Sequence, residues 1–119
     1  MTTQRTMLLA TYNINKNASE DDYDKFLREV DMPFYNSIES VVRYSNWKVV
    51  DQKLGEVGFR YIDLIVVDGD DPFELFKKNS DVQEFIKMWE SKWAEFGTDE
   101  KYRGKNYQIV QLDEIAAPD

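Results

Sequence analysis

The hydrophobic pattern changes period several times along the chain, and each change marks an element. Residues 6–14, TMLLATYNI, mix β-branched and aromatic side chains with apolar ones, which predicts a strand. From Ser19 the spacing turns helical, with Tyr23, Phe26, Leu27 and Val30 recurring at three and four residues. Ser19 is placed to cap that helix, acidic residues crowd its first turn, and Pro33 predicts a stop near Asp31. Residues 39–50 (ESVVRYSNWKVV) and 59–68 (FRYIDLIVVD) read as two strands of a hairpin joined by the turn segment 51–58. The stretch 70–79 predicts a short helical turn with Asp71 as its cap and Pro72 in the first position. A longer helix is expected from Ser80, whose spacing to Gln83 fits a capping box. Its apolar stripe is Val82, Phe85, Ile86, Trp89, Trp93 and Phe96, and Gly97 suits its end. Residues 98–105 read as a polar loop, 106–115 as a closing strand and 116–119 as a loose tail.

The resulting order is βαββαβ, an α+β pattern that folds as a ferredoxin-like, four-stranded antiparallel sheet with both helices on one face. At 119 residues the chain reads as one domain, 1–119, with its core at about 6–115. Alternation divides the third strand into an aliphatic row, Ile62, Leu64 and Val66, and a mixed row, Phe59, Tyr61, Asp63, Ile65 and Val67. The aliphatic row is expected under the helices. The mixed row is then expected on the open face, together with Val41, Arg43, Ser45 and Trp47 of strand two and with Tyr107 and Ile109. A hairpin centred near Leu54 sets Asp63 opposite Ser45 and diagonal to Arg43, within reach of an ion pair. An open face this apolar needs a cover, because soluble monomers rarely tolerate a large exposed patch.

Composition narrows what that cover and any ligand can be. The formal charge of −8 opposes nucleic acid and anionic membranes. No apolar run is long enough for a membrane span, and the N-terminal stretch is too short and polar for a secretory signal, so the default location is cytoplasmic. The chain has no cysteine and no histidine, which removes thiolate chemistry, the commonest general base and the commonest transition-metal ligands. No metal, flavin or nicotinamide motif is visible, so no cofactor is expected. The acidic run 67–74, VDGDDPFE, lacks the spacing of a calcium loop. GFRYI, residues 58–62, resembles the third-strand motif of RNA-recognition domains. Val57, Leu64 and Ala10 occupy positions where that motif needs a basic or an aromatic residue, and the overall charge has the wrong sign. A second copy of the same sheet is the better cover, through an isologous interface.

Three short motifs bear on kinship: YN leaving the first strand (Tyr12, Asn13), REVDMP closing the first helix (28–33) and SVVRY opening the second strand (40–44). With the strand, Trp-rich helix and final strand that follow, they resemble the dimeric α/β-barrel superfamily over residues 7–115. Within it they resemble the RedY-like group, associated with prodigiosin-type pyrrole and indole alkaloid pathways. The resemblance implies a homodimeric α/β barrel, a role in secondary metabolism, and a ligand between the helices and the sheet. There it points to Tyr12, Tyr44 and Asp31 as candidate catalytic groups and to Trp89 and Trp93 as binding walls for a flat apolar ligand. Asp31 stands where many relatives carry a histidine.

From the residues alone, Asp63 is a further catalytic candidate, since a carboxylate desolvated within a strand can serve as acid or base. Its alternative is a structural ion pair with Arg43. Trp89 and Trp93 equally suit plain core packing. Two functions follow as expectations. One is a cofactor-independent enzyme acting on a small aromatic or polyketide-like molecule; the other is a dimer that binds or carries such a molecule without chemistry.

Overall fold

The computed structural model describes residues 5–69, 71–95 and 107–118. Four strands, β1 (Arg5–Tyr12), β2 (Val41–Lys48), β3 (Tyr61–Asp68) and β4 (Gln108–Asp113), form one antiparallel sheet in the order β2-β3-β1-β4. This is the ferredoxin-like arrangement. Helices α1 (Glu20–Phe26), α2 (Met32–Asn36), α3 (Phe73–Lys78) and α4 (Ser80–Trp93) supply the other layer. Tyr12 and Tyr61 pack with Tyr23, Phe26, Trp89 and Trp93, while Leu8, Tyr44, Ile65 and Val67 pack with Tyr35 and Val82. Every one of these sheet residues lies on the helix side. Among the described residues no helix is long and apolar enough to cross a membrane. Phe96, Gly97, the loop 98–105 and Asp70 lie outside the described residues.

The first helix does not stop at Asp31. A π turn, Leu27–Asp31, joins α1 to α2, and the Met32 amide bonds to the Leu27 carbonyl five residues back. The extra residue in that turn accommodates Pro33, which lacks an N–H and whose ring would crowd an ordinary α-turn. It also rotates the face that follows. Asp31 becomes buried, and Val30, expected on the apolar stripe, is exposed. Ser19 caps α1 by accepting from the Asp22 amide at 3.3 Å. Asn79, not Ser80, caps α4, accepting from the Asp81 and Val82 amides, so the expected capping box is not made. Asp71 makes no side-chain cap on α3.

The faces of β3 are the reverse of the expectation. Tyr61, Ile65 and Val67 are almost fully buried under the helices, and Asp63 shares their parity. Ile62, Leu64 and Val66 line the open face. The physical reason lies in the polar partners, which are on the helix side: Tyr61 donates to Asp24 at 3.1 Å, and Asp63 meets three hydrogen-bonding side chains. The hairpin register is also one residue from that expected, pairing Asn46 with Asp63 and Ser45 with Leu64. A slip of one exchanges faces. Arg43 therefore lies across from Val66 on the open face, and the Asp63–Arg43 ion pair does not form. A bulge between Val41 and Arg43 turns Val41 toward the helices. Tyr107 packs on Tyr12 and Trp89, so it too belongs to the helix side, as does Ile109, whose partner on β1 is Ala10.

Opposed residues of an antiparallel pair share a face. The pairs Leu9 with Leu64 and Val110, Met7 with Val66 and Leu112, and Trp47 with Ile62 therefore give the open face an aliphatic floor with Trp47 at one edge. Trp47, Val110 and Leu112 are among the exposed large apolar residues.

Candidate functional site

A cavity of about 270 Å3 opens between α4, the π turn and the sheet. Leu8, Ile65, Phe85 and Trp89 contribute apolar walls, and Tyr12, Asp31, Tyr44 and Asp63 bring polar groups together in it. Of the residues singled out from the sequence, Tyr12, Asp31, Tyr44, Asp63 and Trp89 thus meet at one place. Trp93 does not line it; its ring packs 5.0 Å from Tyr23 and 5.3 Å from Phe26. Arg43 is on the opposite face of the sheet.

Local structure fixes each group. The π turn aims Asp31 inward. Asn36, at the end of α2, clasps the free edge of β2 at Tyr44, donating to its carbonyl and accepting from its amide, both at 2.9 Å. One short helical segment therefore sets both Asp31 and Tyr44. Tyr12, at the end of β1, stacks on Tyr61 and meets the edge of Trp89.

The hydrogen bonds form a directional chain. The indole of Trp89 can only donate, and it donates to the Tyr23 hydroxyl at 2.9 Å. Tyr23 lies 2.7 Å from the Tyr12 hydroxyl, and Tyr12 lies 3.0 Å from Asp63 Oδ1. The arrangement that satisfies every donor has Tyr23 donating to Tyr12 and Tyr12 donating to Asp63. Asn46 donates to Asp63 Oδ1 at 2.8 Å and to Asp31 Oδ2 at 3.0 Å, spending its two hydrogens on the two carboxyls. The Tyr44 hydroxyl is 2.5 Å from Asp31 Oδ2 and 3.1 Å from Asp63 Oδ2. It has one proton for two oxygens. Both contacts are hydrogen bonds only if one of the carboxyls also carries a proton.

Electrostatics agree with that count. Burial raises Asp63 to about 7, with the charge of Asp31 adding to the rise and the donors Asn46, Tyr12 and Tyr44 partly opposing it. Burial likewise raises Asp31 to about 6, opposed by its hydrogen bonds from Tyr44 and Asn46. The two titrate as a pair. Near neutrality the pair holds one proton: one carboxyl donates to the Tyr44 hydroxyl, and Tyr44 donates to the other, ionised carboxyl. Burial, reinforced by Asp63, pushes the hydroxyls of Tyr12, Tyr23 and Tyr44 far above their ordinary range. These phenols are therefore donors and relays rather than bases. Chemically, the cavity offers one acid, one base and a hydroxyl that links them.

Sequence reasoning missed Asn46 and Tyr23. Asn46 is two residues after Tyr44 on one strand, so the parity that sends Tyr44 to the helix side sends Asn46 there too. Tyr23 was legible only as part of an apolar stripe.

Fold and site together define a small α+β protein with an acid-lined cavity between helices and sheet. The family model described as REDY-like protein HapK matches residues 6–102, and the chain belongs to that family. Among solved structures, HapK from Hahella chejuensis is similar with a TM-score of 0.67 at 13% identity, covering 95% of each chain. A dimeric ferredoxin-like protein of unknown function from Thermobifida fusca gives a TM-score of 0.64 at 11% identity, covering 96% of this chain and 94% of that one. An EthD family protein from Bacillus halodurans gives 0.61 at 12% identity, covering 94% and 99%. At such identities the likeness carries the fold. Among curated protein sequences there is no match.

Proposed function

We propose that this protein acts, without a cofactor, on a small aromatic or polyketide-like molecule held in the cavity between helices and sheet, in a pathway of secondary metabolism. The observation that carries the reading is the convergence of Asp31, Asp63 and Tyr44 on a cavity walled by aromatic and aliphatic side chains. Aromatic walls suit a flat apolar ligand, and a few convergent polar groups orient it. In the catalytic version Asp63 acts as acid, Asp31 as base, Tyr44 passes the proton between them, Tyr12 holds Asp63, and Trp89 is a wall. A second reading, binding or carriage without chemistry, is favoured by one observation: the donors of the network are satisfied within the protein itself.

The working form in this proposal is a homodimer joined through the open sheet face. Its aliphatic floor and the exposed Trp47, Val110 and Leu112 are support for that, because a patch of this kind is rarely left wet. The Thermobifida fusca relative, described as dimeric, points the same way.

The test is to screen small aromatic and polyketide-like compounds for binding and turnover, then to compare Tyr44→Phe, Asp31→Asn and Asp63→Asn for both properties. Loss of turnover with affinity retained in Tyr44→Phe or Asp63→Asn supports the enzyme. Affinity without turnover in the unaltered protein supports the carrier, and turnover unchanged in all three variants removes the proposed catalytic groups.

A further inference from the structure

The Asp31 carboxyl and the Tyr35 hydroxyl both line the cavity and are not fully used by the hydrogen-bonded network. Asp31 is only 3% exposed, and its hydrogen bonds from Tyr44 and Asn46 both end on Oδ2. Oδ1 has no hydrogen-bond partner among the described residues, and Asp31 is part of the cavity lining. The Tyr35 hydroxyl, on a residue that is 6% exposed and lines the same cavity, is likewise without a hydrogen-bond partner among the described residues. A carboxylate oxygen accepts and cannot donate once ionised. Among the described residues no Lys or Arg forms an ion pair with Asp31 or Asp63. Lys77 and Lys87, which also line the cavity, are exposed and make no hydrogen bond to either carboxyl.

We infer that the cavity selects a planar aromatic molecule that presents a neutral or cationic O–H or N–H donor to Asp31 Oδ1 and rejects the corresponding organic anion. This deepens the small-molecule reading above and rests on it. An anion placed beside Asp31 would meet a like charge in a desolvated site, and the Lys77 and Lys87 side chains that line the cavity form no ion pair with that carboxyl, whereas a donor supplies the one hydrogen bond the carboxylate lacks. A hydroxyl group can serve as that donor to Asp31. The cavity volume, near the lower end for small-molecule sites, fits a ligand of few rings.

The probes are 2-naphthol, naphthalene and 2-naphthoate, which share one ring system and differ in donor and charge. Binding is measured at pH 7.5 by calorimetry, with the 13Cγ resonance of Asp31 locating the contact. The expected result is that 2-naphthol binds about tenfold or more tighter than either other probe, the size of one charge-assisted hydrogen bond, and shifts the Asp31 resonance. Asp31→Asn should remove most of the naphthol advantage while leaving naphthalene within about twofold. The comparison of probes on the unaltered protein stands even if that variant does not fold. Equal or tighter binding of 2-naphthoate, or a naphthol advantage without any Asp31 shift, overturns the inference while leaving the cavity reading intact. If none of the three binds in the cavity, the small-molecule reading fails and this inference with it.

Discussion

The Tyr44 hydroxyl lies 2.5 Å from Asp31 Oδ2, joining an edge strand to a π turn through a buried hydrogen bond. Its other neighbour, Asp63 Oδ2, is 3.1 Å away. Removing this hydroxyl leaves Asp31 with Asn46 as its remaining donor. Tyr44→Phe is expected to destabilise the fold by about 1–3 kcal/mol, the cost of depriving a buried polar group of its partner. The loss should be larger at pH 8 than at pH 5, because the ionised carboxylate needs the donor most. Urea denaturation at the two pH values measures it.

Asp63→Asn should stabilise the protein at high pH. Burial raises both Asp31 and Asp63, so the fold favours their protonated forms. That contribution is complete below the unfolded value near pH 4 and is lost as pH rises through about 6 and about 7. The amide of Asp63→Asn keeps an acceptor for Tyr12 and Asn46 and donates to Tyr44, as the protonated acid does. A gain on the order of 2 kcal/mol is expected at pH 8, shrinking toward zero at pH 4. Denaturation curves across that range check the sign.

Asn46→Ala withdraws a donor from both carboxyls at once. With fewer hydrogen bonds to the charged forms, both should titrate at higher pH than in the unaltered protein. A stronger infrared band of protonated carboxyl at pH 7.5 is the expected signature. An unchanged band would mean that Asn46 does not hold the pair.

The dimer is tested on the face away from the cavity. Leu64 sits on the open side, paired with Leu9 and Ser45. Leu64→Asp puts a charge into the proposed contact, and the protein should sediment as a monomer at micromolar concentration where the unaltered chain sediments as a dimer. A monomeric unaltered chain would remove the proposed assembly.

Element order and type were legible because the period of the apolar pattern switches cleanly between strand and helix. Face and register were not. Asp63 made its own row of β3 look like the wet one, and only the positions of Tyr12, Tyr44 and Asn46 reveal that this row is where the polar partners lie. Hairpin register turned on a single residue, because the segment 51–58 carries no turn signal sharp enough to place its centre. The π turn was hidden as well: Pro33 reads as a stop, and nothing local says that a widened turn carries the helix past it. For the site, it was the family resemblance that brought in Tyr12, Tyr44 and Asp31. Arg43 failed as a partner for Asp63 for the same reason the register did.

The geometry requires Asp31 and Asp63 to share one proton near neutrality through Tyr44. The most direct measurement of this sharing is the pH titration of the two Asp 13Cγ resonances by NMR. Both carboxyls should titrate well above the ordinary aspartate range, in linked steps near pH 6 and 7. Two carboxyls fully ionised by about pH 5, with no later step, would contradict it.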